Sequence, residues 1–249
     1  YQPRENFVST SHAFGVTDVG CVRDHNEDAL RVDAKAGLYI VADGMGGHAA
    51  GEVASAIVLE MIPEFVRRGH SLAQALRETH RAIQRAAKEG HGVPGMGSTA
   101  VVLRMNGADY EIAWVGDSRA YLWDGTVLRQ LSRDHSFVEK LIAAQAITVE
   151  EAERHPDRNV ITQALGMAEY DQLRPDTVTG RMYRGEQILL CSDGLSSEVA
   201  DGEIARVLAS NGDNESRARA LLEKARRAGG ADNITVLLVR APEDASRRP

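Results

Sequence analysis

Tyr110-Glu-Ile-Ala-Trp-Val-Gly-Asp-Ser-Arg-Ala-Tyr-Leu-Trp123 contains two apolar runs, Tyr110–Val115 and Arg119–Trp123, separated by Gly116-Asp117-Ser118. Gly, Asp and Ser carry turn chemistry, so the stretch reads as two strands joined directly, with Asp117-Ser118 at the turn. Outward from it, short apolar or alternating runs read as further strands at Phe7–Val16, Leu38–Ala42, Ser98–Arg104, Gln187–Leu190 and Ile234–Val239. Between Leu38–Ala42 and Ser98–Arg104 come two helical patterns back to back. Gly51–Arg68 carries Val53, Ala54, Ile57, Val58, Met61, Ile62 and Phe65 at helical spacing. Leu72–Glu89 follows with Ser71 as its N-cap and Gly90 as its stop. Asp201–Ala209 and Glu215–Ala228 read as two more helices. Blocks of strands with blocks of helices predict an α+β fold, antiparallel sheet with helices packed outside, rather than strict βαβ alternation.

The stretch Leu131–Gly166 has little strand character. It offers a short helix at Phe137–Gln145, a cap signal at Thr148-Val-Glu-Glu and a turn at His155-Pro156, and reads as an inserted surface lobe. The tail Glu243–Pro249 reads as disordered. There is no internal repeat or low-complexity linker, and the 249 residues fit a single domain of residues 1–249 with its core at about 8–240.

The chain has 29 Lys+Arg against 36 Asp+Glu, a formal charge of −7, and 5% aromatic residues. Nucleic-acid binders need a basic footprint and stacking surfaces, so that class is excluded. No apolar run reaches the ~18 residues of a membrane span. The opening Tyr1-Gln-Pro-Arg-Glu-Asn is polar, has no signal-peptide core and lacks Met, as a trimmed or processed chain would. Cys21 and Cys191 form neither a disulfide framework nor a zinc pair, which fits a reducing cytoplasm.

The chemistry sits where strands end. Leu38–Ala42 runs into Asp43-Gly44-Met45-Gly46-Gly47, Ile188–Ser192 into Asp193-Gly194, and Ile112–Val115 into Gly116-Asp117-Ser118. Asp232-Asn233 precedes the last strand, and Arg23-Asp-His-Asn-Glu27-Asp28 adds further carboxylates. One Asp-Gly is ordinary turn chemistry. Four aspartates at strand tips, if they converge, repel one another and call for cations. Carboxylates and backbone carbonyls suit hard Mg²⁺ or Mn²⁺, whereas the eight histidines show no zinc spacing. Two such ions can activate a water for in-line attack on phosphorus.

In order, Arg23-x2-Asn26-Glu27-Asp28, Val41-Ala-Asp43-Gly44-Met45-Gly46-Gly47, Gly97-Ser98-Thr99-Ala100, Val115-Gly-Asp117-Ser118-Arg119, Cys191-Ser-Asp193-Gly194 and Asp232-Asn233-Ile-Thr235 resemble the metal-dependent protein phosphatases of type 2C, in particular the compact bacterial ones. The resemblance covers about residues 8–240. It implies a sandwich of two antiparallel sheets flanked by helices on both outer faces (αββα), with Leu131–Gly166 as the variable flap that contacts substrate. It also implies a dinuclear Mn²⁺ or Mg²⁺ site at one edge. Carried over, Asp43 bridges the two ions, Asp193 and Asp232 complete the first site, and Glu27 and the Gly44 carbonyl serve the second. Asp28 orients water, Asp117 with Asp193 matches a third ion site of bacterial members, and Arg23 grips phosphate with its guanidinium fork. Where many eukaryotic members have a proton-donating histidine, this chain has Met45, so the leaving-group proton falls to water at the ions, to His48 or to His135. The implied activity is that of a monomeric cytoplasmic serine/threonine phosphatase acting in signalling. Its partners are phosphoserine and phosphothreonine proteins, opposite a cognate Ser/Thr kinase, without nucleic acid or membrane.

Gly97-Ser-Thr-Ala reads as a tight turn with no chemistry assigned, and Trp114 and Trp123 as core. Three other readings compete. Leu38–Asp43 followed by Gly44-x-Gly46-x2-Ala49 meets a dinucleotide fingerprint, but the ~30-residue βαβ unit that it needs is absent. A catalytically inactive scaffold of the same fold would have lost ligand positions, and here each holds Asp or Glu. Serine or cysteine hydrolase chemistry lacks a nucleophile elbow or loop.

Overall fold

The computed structural model describes residues 5–47, 50–167 and 173–248. In chain order the elements are β1 (Glu5–Ser9), β2 (Ala13–Asp18), β3 (Asp28–Asp33), β4 (Leu38–Met45), α1 (Ala50–Arg67), α2 (Leu72–Lys88), β5 (Gly97–Ser98), β6 (Ala100–Asn106), β7 (Asp109–Val115), β8 (Arg119–Trp123), β9 (Leu128–Gln130), α3 (Phe137–Ala143), α4 (Val149–Glu153), β10 (Asp176–Arg181), β11 (Gln187–Cys191), α5 (Asp193–Ser196), α6 (Asp201–Leu208), α7 (Asn214–Ala228) and β12 (Ile234–Arg240). Among the described residues they form two sheets, ordered β1-β2-β12-β11-β8-β9 and β10-β7-β6-β4-β3, with β5 beside β4. Every pairing between these strands is antiparallel. The αββα expectation holds, and the antiparallel β4–β6 pair rules out the dinucleotide unit.

Period-two alternation builds the layers, because successive side chains on a strand point to opposite faces. On β4, Leu38, Ile40 and Ala42 pack under α1 and α2, while Tyr39 and Val41 face the other sheet. On β12, Leu237 and Val239 enter the inter-sheet core, while Ile234, Val236 and Leu238 pack against α6 and α7. Ile40 has no exposed surface, and truncating such a side chain to Ala costs about 2–5 kcal/mol.

The helices begin where their caps allow. Ser71 and Gln74 form a reciprocal capping box on α2, and Thr148 and Glu151 form one on α4. Pro63 lies inside α1 and has no N–H for the Leu59 carbonyl; Arg31 of β3 donates to that oxygen at 3.3 Å instead.

Several boundaries differ from the sequence reading. Phe7–Val16 is a hairpin rather than one strand. Thr10 Oγ1 accepts from the Ala13 N–H at 3.0 Å and closes the polar turn between β1 and β2. The run from Ser98 is broken at Thr99, and β3, β9 and β10 are additional strands. The disorder expected for Glu243–Pro249 does not describe residues 243–248. Ala245 is buried, Arg184 N–H donates to the Ser246 carbonyl at 2.9 Å, and Arg248 donates to Asp124 at 2.9 Å. Pro249 lies outside the described residues. The lobe at 131–166 is tied back at both ends: His135 N–H donates to the Gly116 carbonyl, and the Ser98 and Leu165 backbones exchange hydrogen bonds. Among the described residues no helix is long and apolar enough to cross a membrane.

Candidate metal centre

Antiparallel order brings the C-terminal ends of β4 and β11, the β7–β8 turn and the N-terminal ends of β3 and β12 to one edge of the sandwich. A cavity of about 920 Å³ opens there, lined by Arg23, Glu27, Asp43, Asp117, Asp193 and Asp232. Asp28 lies just behind it, directly opposite Asp43 in the β3–β4 register. The eight residues singled out in the sequence thus share one edge, since Gly44 also lines the cavity.

Each side chain is held by a local device. The Asp43 N–H donates to Thr99 Oγ1 at 3.1 Å, and the Asp43 carbonyl accepts from the Thr99 N–H at 2.8 Å and from Ser98 Oγ at 3.0 Å. Thr99 Oγ1 also shares a 2.7 Å hydrogen bond with Ser118 Oγ, beside Asp117. Asp28 Oδ2 accepts from Ser192 and Thr235 hydroxyls, each at 2.7 Å. Arg23 Nη2 meets Asp232 Oδ2 at 2.8 Å. Gly44 is required by space: a Cβ there would stand 2.1 Å from the Gly51 carbonyl oxygen and 2.7 Å from that of Glu27. Gly51 is required likewise, because its Cβ would stand 2.6 Å from Glu27 Cδ. The Glu27 carboxylate therefore rests on the first turn of α1, where it accepts from the Gly51 N–H.

The electrostatics are those of crowded acids. Burial, and then the charges of Asp28, Asp193, Asp117 and Asp232, hold the Asp43 carboxyl well above the usual range. Burial raises Asp28 to about 7 against the pull of Ser192 and Thr235, and burial with Asp193 raises Asp117 to about 8. Asp193 is also raised, first by burial and then by Asp232, with a hydrogen bond to Asp43 opposing. Burial raises Glu27, with Arg23 opposing. Such a cluster is neutralised by protons or by cations.

The residues fit a hard divalent cation. The donors are oxygens throughout, and Asp193 Oδ1 is buried without a hydrogen-bond partner. No group of three or more His, Cys, Asp or Glu side chains among the described residues is arranged to hold an ion by itself. Water and the Gly44 carbonyl would therefore have to complete the coordination, as hard cations that keep several waters permit.

The candidate proton donors fare differently. Met45 lines the cavity and is inert. His48 lies outside the described residues. His135 Nδ1 accepts from the Gly116 N–H at 3.2 Å and Nε2 faces Asp176 at 3.3 Å, and this ring is not part of the cavity lining. His25, which the sequence reading did not name, does line it, with Nδ1 3.6 Å from Glu52. Thr99, Ser192, Asn233 and Thr235 were likewise missed as holders of the site. The motif strings contain them, yet their hydrogen-bond partners lie tens to hundreds of positions away and no local pattern reports that.

The chain belongs to the protein phosphatase 2C family, whose model matches residues 22–229. It is 37% identical over 241 residues to the serine/threonine phosphatase stp of Listeria innocua, covering 92% of this chain and 95% of that one. Among solved structures it is similar to the serine/threonine phosphatase Stp1 from Staphylococcus aureus, with a TM-score of 0.84, 33% identity and coverage of 97% and 100%. It is also similar to the catalytic domain of the serine/threonine protein phosphatase PstP in complex with two manganese ions, with a TM-score of 0.80, 33% identity and coverage of 95% and 97%.

Proposed function

We propose that the protein is a serine/threonine phosphoprotein phosphatase dependent on Mn²⁺ or Mg²⁺, acting on proteins phosphorylated by a Ser/Thr kinase. The observation that carries this reading is the meeting of Asp43, Asp117, Asp193, Asp232 and Glu27 with Arg23 in one cavity, in a chain whose relatives carry that activity in their names.

Asp43, Asp193 and Asp232 would hold one ion, and Asp43, Glu27 and the Gly44 carbonyl would hold the other. Asp117 and Asp193, both on the cavity lining, would hold a third. When bound, the ions supply Lewis-acid charge and lower the pKa of water so that it can attack phosphorus in line, without a phosphoenzyme. The chain's own residues do the rest. Arg23 offers a guanidinium fork to two phosphate oxygens. Asp28 spends Oδ2 on Ser192 and Thr235 and keeps Oδ1, which has no protein partner, to accept from water. Met45 gives an aliphatic wall that cannot donate a proton, and His135 has both nitrogens engaged elsewhere, which leaves the alkoxide's proton to water in the cavity, to His48 or to His25 on the cavity lining.

The experiment is phosphate release from phosphothreonine peptides with Mn²⁺, with and without EDTA. Release that EDTA abolishes supports the proposal. Binding of a partner protein with no turnover under any metal would favour the inactive-scaffold reading instead.

A further inference from the structure

We infer that Asn233 is a positioning residue that clamps the Arg23–Glu27 loop to the segment leading into β12, which carries Asp232, and so sets the distance between the phosphate grip and the metal ligands. The inference rests on the proposed function for its kinetic part and on geometry alone for its structural part.

Asn233 is nearly buried, 5% exposed, immediately before β12. Its amide Nδ2 donates to two carbonyls of one loop, Val19 at 3.0 Å and His25 at 2.9 Å, and its Oδ1 accepts from the Glu27 N–H at 2.8 Å. Those bonds bracket Arg23 on both sides. Its backbone N–H meanwhile donates to Asp232 Oδ1 at 2.8 Å, and the other oxygen of Asp232 takes Arg23 at 2.8 Å. A Cβ at Gly194 would stand 2.0 Å from the Asn233 carbonyl oxygen, so the residue after Asp193 has no side chain because Asn233 occupies that space.

Asn is the side chain that fits these demands. Two carbonyls need two donors and one N–H needs an acceptor, and a short amide has all three. Aspartate would set an acceptor against two carbonyl oxygens in a buried place. The exposed loop residues Cys21–His25 need such a tether to place a guanidinium reproducibly.

The test uses the full chain, with the Asn233→Ala and Asn233→Ser variants, p-nitrophenyl phosphate for kinetics, Mn²⁺ calorimetry and amide hydrogen exchange. In the wild type, the Glu27 amide exchanges slowly; fast exchange would overturn the clamp without any variant. In Asn233→Ala, residues 19–27 lose protection, the Mn²⁺ dissociation constant rises roughly tenfold or more, and KM rises by more than kcat falls. Asn233→Ser, which keeps a hydroxyl, falls between. In an Arg23→Ala background, Asn233→Ala should add little further to KM, because both act through one guanidinium. A lowered melting temperature with unchanged KM and Mn²⁺ affinity would make Asn233 merely structural and overturn the inference. If the wild-type chain released no phosphate, calorimetry and exchange would still read the clamp, so the two failures are distinguishable.

Discussion

Asp28 and Asp43 stand directly opposite each other in the β3–β4 ladder, a like-charge pair at a cross-strand position. Such pairs are destabilising, and both carboxyls are raised above their usual range, first by burial. The fold carries this cost at the edge where the cavity opens, which is the trade expected of a site built to hold cations.

Asp43→Asn should therefore separate stability from activity. In EDTA the variant should melt higher than the parent chain, by an increment on the order of 1 kcal/mol or less from the relieved repulsion. With Mn²⁺ its phosphatase activity should fall by at least about 100-fold. Thermal melts in EDTA beside turnover in Mn²⁺ check both halves.

Arg23→Ala should raise KM for p-nitrophenyl phosphate more than it lowers kcat, since the guanidinium contributes to binding in the ground state as well as in the transition state. Arg23 is half-exposed and already paired with Asp232, so its loss should leave the melting temperature nearly unchanged. Steady-state kinetics and a melt decide this; an unchanged KM would remove Arg23 from the phosphate site.

His135→Ala should leave the alkaline limb of the pH–rate profile, which reports a general acid, in place. The ring accepts from Gly116 and faces Asp176 and Trp114 rather than the cavity. The variant should lose stability, by about 1–3 kcal/mol from a buried N–H left without its partner. Disappearance of the alkaline limb would make His135 the proton donor.

Thr99→Val should lower activity although Thr99 carries no charge. It removes the acceptor for the Asp43 N–H and the partner of Ser118 while keeping the side chain's shape. An unsatisfied buried N–H costs about 1–3 kcal/mol, and a displaced Asp43 should weaken Mn²⁺ binding. Calorimetric titration with Mn²⁺ reads the second effect directly.

Thr99 also shows where sequence reading stops. The apolar alternation of β4, β6, β7, β8, β11 and β12 was legible because each is buried on both faces or packed on both sides. β10, Asp176-Thr-Val-Thr-Gly-Arg181, is an edge strand that among the described residues pairs only with β7 and stays largely exposed, so it has no apolar signature. β3 begins and ends in aspartate, and its chemistry hid its strand. The acids of the site were legible because Asp at the tip of an apolar run is visible locally. Gly97-Ser-Thr-Ala read as a plain turn, yet Ser98 and Thr99 reach Asp43 across 55 and 56 positions. Asn233 reaches Val19 and His25 across more than 200. Such contacts exist only after folding.

The most direct measurement is anomalous diffraction from a crystal of this chain grown with Mn²⁺. The account predicts manganese peaks in the cavity, one between Asp43, Asp193 and Asp232 and a second beside Glu27 and the Gly44 carbonyl. A fully soaked crystal with no peak within coordinating distance of Asp43 would contradict it.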